Sequence, residues 1–147
     1  MKHFTVLTAI FISLFIVISC TSKKINENEP QNIHRKWMMI EYKGFTKEEL
    51  IQLNAFVDLT KNPENETNYV AKMGCNNIFF TPEFKSNNRI LFSKIGSTEM
   101  FCNDKMKLEN QFLKDLSLMN DYEISGHFLT LSDGKGKTMK FVAEDWD

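Results

Sequence analysis

Cys75 and Cys102 bracket the stretch that most restricts how this chain can fold. It opens with Met73-Gly74-Cys75-Asn76-Asn77 and closes with Gly96-Ser97-Thr98-Glu99-Met100-Phe101-Cys102, with two short apolar runs between. The runs, Asn77 to Phe84 and Arg89 to Ile95, read as strands, and Lys85-Ser86-Asn87-Asn88 is the turn-rich tetrad joining them. Short strands that meet at tight turns imply an antiparallel meander. With 147 residues, the chain has room for one domain.

The N-terminus gives an address. Met1-Lys2-His3 is a short basic start, and Phe4 to Ile18 is apolar except for Thr5, Thr8 and Ser13. Val17-Ile18-Ser19-Cys20 then resembles a bacterial lipobox, in which the cysteine thiol is acylated and the peptide is cut before it. Residues 1–19 are therefore expected to be a lipoprotein signal peptide and Cys20 the lipid attachment site. The run is short of the ~20 apolar residues a spanning helix needs. Residues 20–33 read as a lipidated polar tether, because Thr21 to Asn32 has no apolar period and cannot offset its own ordering entropy. Fully extended, it reaches roughly 40 Å from the bilayer. Thr21 is not the aspartate that retains enteric lipoproteins in the inner membrane, so the expected address is the outer membrane, facing the periplasm.

Residues 34–147 form the expected domain. His34 to Tyr42 contains the first strand, with Met38, Ile40 and Tyr42 taken as its core face. Lys43 to Asn54 reads as a loop, although Thr46-Lys47-Glu48-Glu49-Leu50 has the signature of one capped helical turn. Ala55 to Thr60 and Asn68 to Met73 are the next strands, turning at Asn62-Pro63-Glu64-Asn65, and Gly74 suits a positive φ or a close backbone approach. After Cys102 the period changes: Leu108, Phe112, Leu116 and Met119 make one apolar stripe on a helix from about Asp104 to Met119. Asn103 or Asp104 can cap it, and Lys107, Glu109, Asn110, Lys114 and Asp115 are expected on its solvent side. Tyr122 to Ser125, Phe128 to Leu131 and Thr138 to Ala143 close the chain as three brief strands.

These elements resemble the META-domain family, also called HslJ-like. The resemblance rests on Trp37 in a leading strand, Gly74-Cys75-Asn76 at a strand end, and Thr98-Glu99-Met100-Phe101-Cys102 against the family's Thr-x-Met-x-Cys. A helix with Glu109, Phe112 and Leu116 follows, and then the hairpin from Tyr122 to Leu131 around Gly126. Phe101 and Asn77-Ile78 depart from the commonest family residues without disturbing the strand pattern. The resemblance implies a mainly β fold (α+β by content), a small curled antiparallel sheet of lipocalin-like, barrel-like topology with one packed α-helix. It implies no catalytic residues, and it associates the chain with heat shock and envelope integrity.

In an exported chain an even pair of thiols reads first as a disulfide, here Cys75 with Cys102. A redox pair would place them in Cys-x-x-Cys with one thiol depressed in pKa. His34 at the domain edge and His127 in a turn do not complete a zinc set, so no metal or cofactor is expected. No Ser-His-Asp set, phosphate loop or paired carboxylate is present. Glu99 reads as a solvated charge, and Phe79, Phe80 and Phe84 as core and sheet packing. With Lys+Arg 18 against Asp+Glu 19 and no basic block, nucleic acid is not an expected partner. The expected role is non-enzymatic, a stress-related binding or structural function at a membrane reached through the N-terminal lipid anchor. The alternatives are a lipocalin-like carrier of a small apolar ligand and a hydrolase inhibitor inserting the loop from Lys61 to Thr67.

Overall fold

The computed structural model describes residues 30–61, 69–103 and 105–146. The signal segment, Cys20 and the tether up to residue 29 lie outside the described residues, as do the turn Asn62-Pro63-Glu64-Asn65, the greater part of the Lys61–Thr67 loop, and Asp104.

Eight antiparallel strands follow one another around a closed barrel: β1 (Lys36–Tyr42), β2 (Phe56–Asp58), β3 (Tyr69–Lys72), β4 (Asn77–Lys85), β5 (Arg89–Ser97), β6 (Asp121–Ser125), β7 (Phe128–Ser132) and β8 (Thr138–Ala143). Each strand pairs with the next, and β8 returns to β1. This is the curled, barrel-like sheet that the family resemblance implied, and full closure leaves few free edges. Asn87 and Asn88 take left-handed φ of 58° and 56° in the β4–β5 turn, as a hairpin turn matching strand twist requires.

The core face of β1 differs from expectation. Trp37, Met39 and Tyr42 are buried, while Met38 and Ile40 are only partly so. Opposite β8, Met39 pairs with Phe141 and Glu41 with Lys140, so Ile40 is an extra residue without a partner. A one-residue bulge of this kind switches which side chains face inward. Trp37 and Met39 face the core before it, and Tyr42 after it.

The Lys43–Asn54 loop contains a helix, α1 (Lys47–Gln52). Thr46 Oγ1 accepts the Glu49 backbone N–H at 3.2 Å and Glu49 Oε2 accepts that of Thr46 at 2.7 Å, a complete capping box. The described residues before 34 also pack on the barrel. A 3-10 turn at Gln31–Ile33 buries Ile33, whose carbonyl accepts the Trp37 indole N–H at 2.8 Å. A buried indole needs such a partner, and that bond fastens the incoming chain to the barrel.

The second helix, α2 (Met106–Leu116), is shorter than the expected span, and its N-cap is Lys105, with no side-chain cap bond. Its stripe behaves as expected: Leu108, Phe112 and Leu116, with Met119 beyond, join Trp37, Phe80 and Phe141 in the core. Phe80 and Phe84 are also buried, but Phe79 lies on the outer face, partly exposed, because neighbours on a strand point to opposite sides.

The barrel is zipped unevenly. β5 and β6 share one residue pair, Arg89 with Asp121, supported by an ion pair at 3.0 Å. The chain leaves β5 at Ser97 and returns through α2 to Asp121, and α2 contributes Leu108, Phe112 and Leu116 to the core.

Candidate functional site

The stretch between the cysteines is closed by a disulfide and fastened to α2 by hydrogen bonds. At the end of β3, Gly74 has φ of +116°, and a Cβ there would lie 2.9 Å from Leu53 Cδ2 and 3.2 Å from the Lys105 carbonyl oxygen. Both conditions demand glycine. The chain can then turn into Cys75, which is bonded to Cys102 across a separation of 27 residues with Cα atoms 6.0 Å apart.

Beside the disulfide lies a buried polar latch. Asn76 is 2% exposed and Glu109, on α2, is 2% exposed. The Asn76 backbone N–H donates to Glu109 Oε2 at 2.7 Å and its Nδ2 to Glu109 Oε1 at 2.7 Å. Nδ2 also donates to the Met100 carbonyl at 3.1 Å. Asn76 Oδ1 accepts the Thr98 hydroxyl at 2.9 Å and the Met100 N–H at 2.7 Å. Two donors and two acceptors are all an amide side chain has, so Asn76 is saturated. The latch pins Thr98 and the Met100 backbone while leaving the Met100 side chain 57% and Phe101 82% exposed. Glu99 is exposed, as expected.

A second buried acid sits at the other end of α2. Asp115 Oδ2 accepts the Tyr42 hydroxyl at 2.7 Å, and Oδ1 accepts the Lys137 ammonium. Burial pushes the Asp115 carboxyl up, but hydrogen bonds from Lys137 and Tyr42 together with the Lys137 charge outweigh it, and its pKa is lowered. Burial, followed by the adjacent carboxylate, pushes the Tyr42 phenol far above its usual range. Asp133 is held low by the backbone N–H groups of Lys135 and Lys137, which donate at 2.8 and 2.9 Å.

The expectation that Glu109 and Asp115 face solvent is therefore corrected: both are buried hydrogen-bond acceptors. Each lies three residues from Phe112, on the flank of the apolar stripe, where helical neighbours share a face. That spacing was the available signal. Their partners, Asn76 between β3 and β4 and Tyr42 at the end of β1, are distant in sequence and had none.

The Asp115 pair predicts a pH dependence. A carboxyl whose folded pKa is depressed stabilises fully above its unfolded pKa of about 3.9, and loses that contribution as pH falls through the folded value. Urea titrations of the parent should show stability dropping below about pH 4, and Asp115→Asn should flatten that limb. The Tyr42 shift is in the opposite sense, so stability should also fall as pH rises past about 10, and Tyr42→Phe should remove that limb. A variant that keeps the parent slope on its own limb would refute the assignment.

The two domain histidines do not approach the cysteines. The His34 ring nitrogen Nδ1 is 3.1 Å from the Leu59 carbonyl, and the His127 ring stacks on Trp146 at 4.5 Å. Among the described residues no group of His, Cys, Asp and Glu is placed to hold a metal ion, and no helix is long and apolar enough to cross a membrane. Among the depressions on the surface of the described residues are two that bear on the site. One, of about 490 Å³, is lined by residues including Tyr42, Lys43, Phe45 and Lys47. The other, of about 260 Å³, runs between α2 and the segment after β5, lined by Thr98, Met100, Phe101, Met106 and Leu113 among others.

The profile described as META domain matches residues 31–146. The chain belongs to the META domain family. The match begins at Gln31, so the META domain takes in the 3-10 turn under Trp37. Among curated proteins none matches the sequence. Three solved structures share the fold, and two of them illustrate the likeness. One is the NMR structure of a protein from Burkholderia xenovorans, with a TM-score of 0.60 at 15% identity, covering 76% of this chain and 82% of that one. The other is the crystal structure of a DUF4847 family protein from Bacteroides vulgatus, with a TM-score of 0.53 at 12% identity, covering 78% of this chain and 95% of that one. At these identities the likeness is one of architecture. Within the META domain the latch ties the Gly-Cys-Asn strand end, the Thr-x-Met-x-Cys segment and the helix glutamate into one assembly.

Proposed function

We propose that this META domain is carried by a bacterial envelope lipoprotein, anchored through Cys20, that acts by binding or by supporting the envelope under stress rather than by catalysis. The observation that carries this reading is the use of the buried acids. Both oxygens of Glu109 are held by Asn76, and both of Asp115 by Tyr42 and Lys137, so neither carboxylate is presented to a substrate. The interior is occupied by Trp37, Phe80, Phe112 and Phe141, all fully buried, which favours a self-filled barrel over a carrier of apolar ligands. The anchor belongs to the mechanism. A tethered domain samples a thin shell beside one membrane, where even a weak partner is met at high effective concentration. The outer membrane, facing the periplasm, is the proposed site.

Cys20→Ser tests this. The variant should take up no palmitate analogue, fold normally, and fail to rescue a deletion strain under heat or envelope stress. Glu99→Gln and His127→Ala should rescue fully. An unlabelled parent, or loss of rescue in either of the latter variants at unchanged abundance and melting temperature, would overturn the reading.

A further inference from the structure

The uneven zipping of the barrel leaves a site that neither the family nor the anchor assigns. Beyond Arg89, no strand among the described residues pairs with the outward edge of β5, which continues through Ser97. Ser93, Lys94, Gly96 and Ser97 along it are exposed. An unpaired edge presents alternating N–H and C=O groups at strand spacing, and only another extended backbone matches that array.

Two further features select the occupant. β5 carries a bulge: Phe79 pairs with Gly96 but Thr81 with Ser93, and Lys94 within it has φ of +51°. A lysine on an open edge discourages pairing with a second copy, because a two-fold pairing centred there would bring two ammonium groups together. The same Lys94 is complementary to a carboxylate on an incoming strand. At the far end of the edge, the groove of about 260 Å³ between α2 and residues 97–101 offers Met100, Phe101, Met106 and Leu113 to an apolar side chain. The disulfide and the Asn76 latch hold that wall in place, which lowers the cost of ordering it on binding.

We infer that β5 and the adjoining α2 groove form a binding site for an extended peptide segment of a partner protein, added antiparallel to β5, with an apolar residue in the groove and an acidic one beside Lys94. This deepens the binding role proposed above and names its surface.

The test uses the ¹⁵N-labelled full chain and a blocked peptide of about seven residues, with leucine near its start, aspartate at its centre and threonine and valine elsewhere, the length β5 can pair. Two controls are the same peptide with alternate amides N-methylated and with lysine for aspartate. The aspartate peptide should shift the amide resonances of residues 91–97 and 106–113, and the N-methylated peptide should shift none. Lys94→Glu should weaken the aspartate peptide about threefold and reverse the preference between the two charges. The inference fails if β5 amides do not move, if the N-methylated peptide moves them equally, or if they already resist hydrogen exchange without peptide because the chain itself or a second copy covers the edge. Such a failure leaves the anchored binding role intact, since Cys20→Ser rescue reads that separately.

Discussion

Glu109→Leu should destabilise the domain by about 4 kcal/mol, a large share of what a domain of this size possesses. Leucine has similar bulk but no acceptor, so two donors of Asn76, its backbone N–H and its Nδ2, lose their 2.7 Å partner while remaining buried. An unsatisfied buried donor costs about 1–3 kcal/mol, and there are two. Glu109→Gln keeps one acceptor and should cost about half as much. Urea unfolding with a constant slope is the measurement. If the leucine variant falls within about 1 kcal/mol of the parent, the latch is not what holds α2 against the strand end.

Cys75→Ala should cost a comparable amount. A crosslink closing a loop of 27 residues restricts the unfolded chain by about 3.5 kcal/mol in the chain-entropy account, and the melting temperature should drop by roughly 10–15 °C. Peptide mapping after alkylation should then find Cys102 modified. Finding both Cys75 and Cys102 alkylated in the unreduced parent would show that the bond is absent. Because the latch grips the same segment through Thr98 and Met100, Cys75→Ala and Asn76→Ala should be non-additive, as neighbours sharing a loop are.

What could be read from the chain followed the range of each interaction. All eight strands were legible because period-two alternation and Asn- or Gly-containing turns are local signals, and the stripe of α2 was legible for the same reason. The bulge at Ile40 was not, because it is created by pairing with β8, about a hundred residues later, and nothing in His34 to Tyr42 announces it. Phe79 and Phe80 were read together as core and sheet packing, and alternation along β4 divides the two roles, Phe80 inside and Phe79 on the outer face. Thr46 and Glu49 spelled out a capping box, but a single short helix makes too weak a periodic signal to be preferred over a loop. Of the candidate site, the disulfide was visible as an even pair of thiols. The latch was hidden, since a glutamate on a helix reads as solvated until the asparagine 33 residues earlier is brought against it.

Seven of the eight strand pairings in the barrel join consecutive strands, and the eighth, β1 with β8, joins its two ends. A polypeptide made from its N-terminus can therefore add hairpin to hairpin as it emerges, each at little loop-closure cost. The first strand alone must wait for the last, its outer edge unmatched until Thr138 to Ala143 arrives. Premature termination anywhere before β8 thus leaves β1 and the final strand both bare, two adhesive margins on one unfinished molecule. The C-terminal strand is accordingly the step that covers the margin of β1 and removes these two adhesive edges.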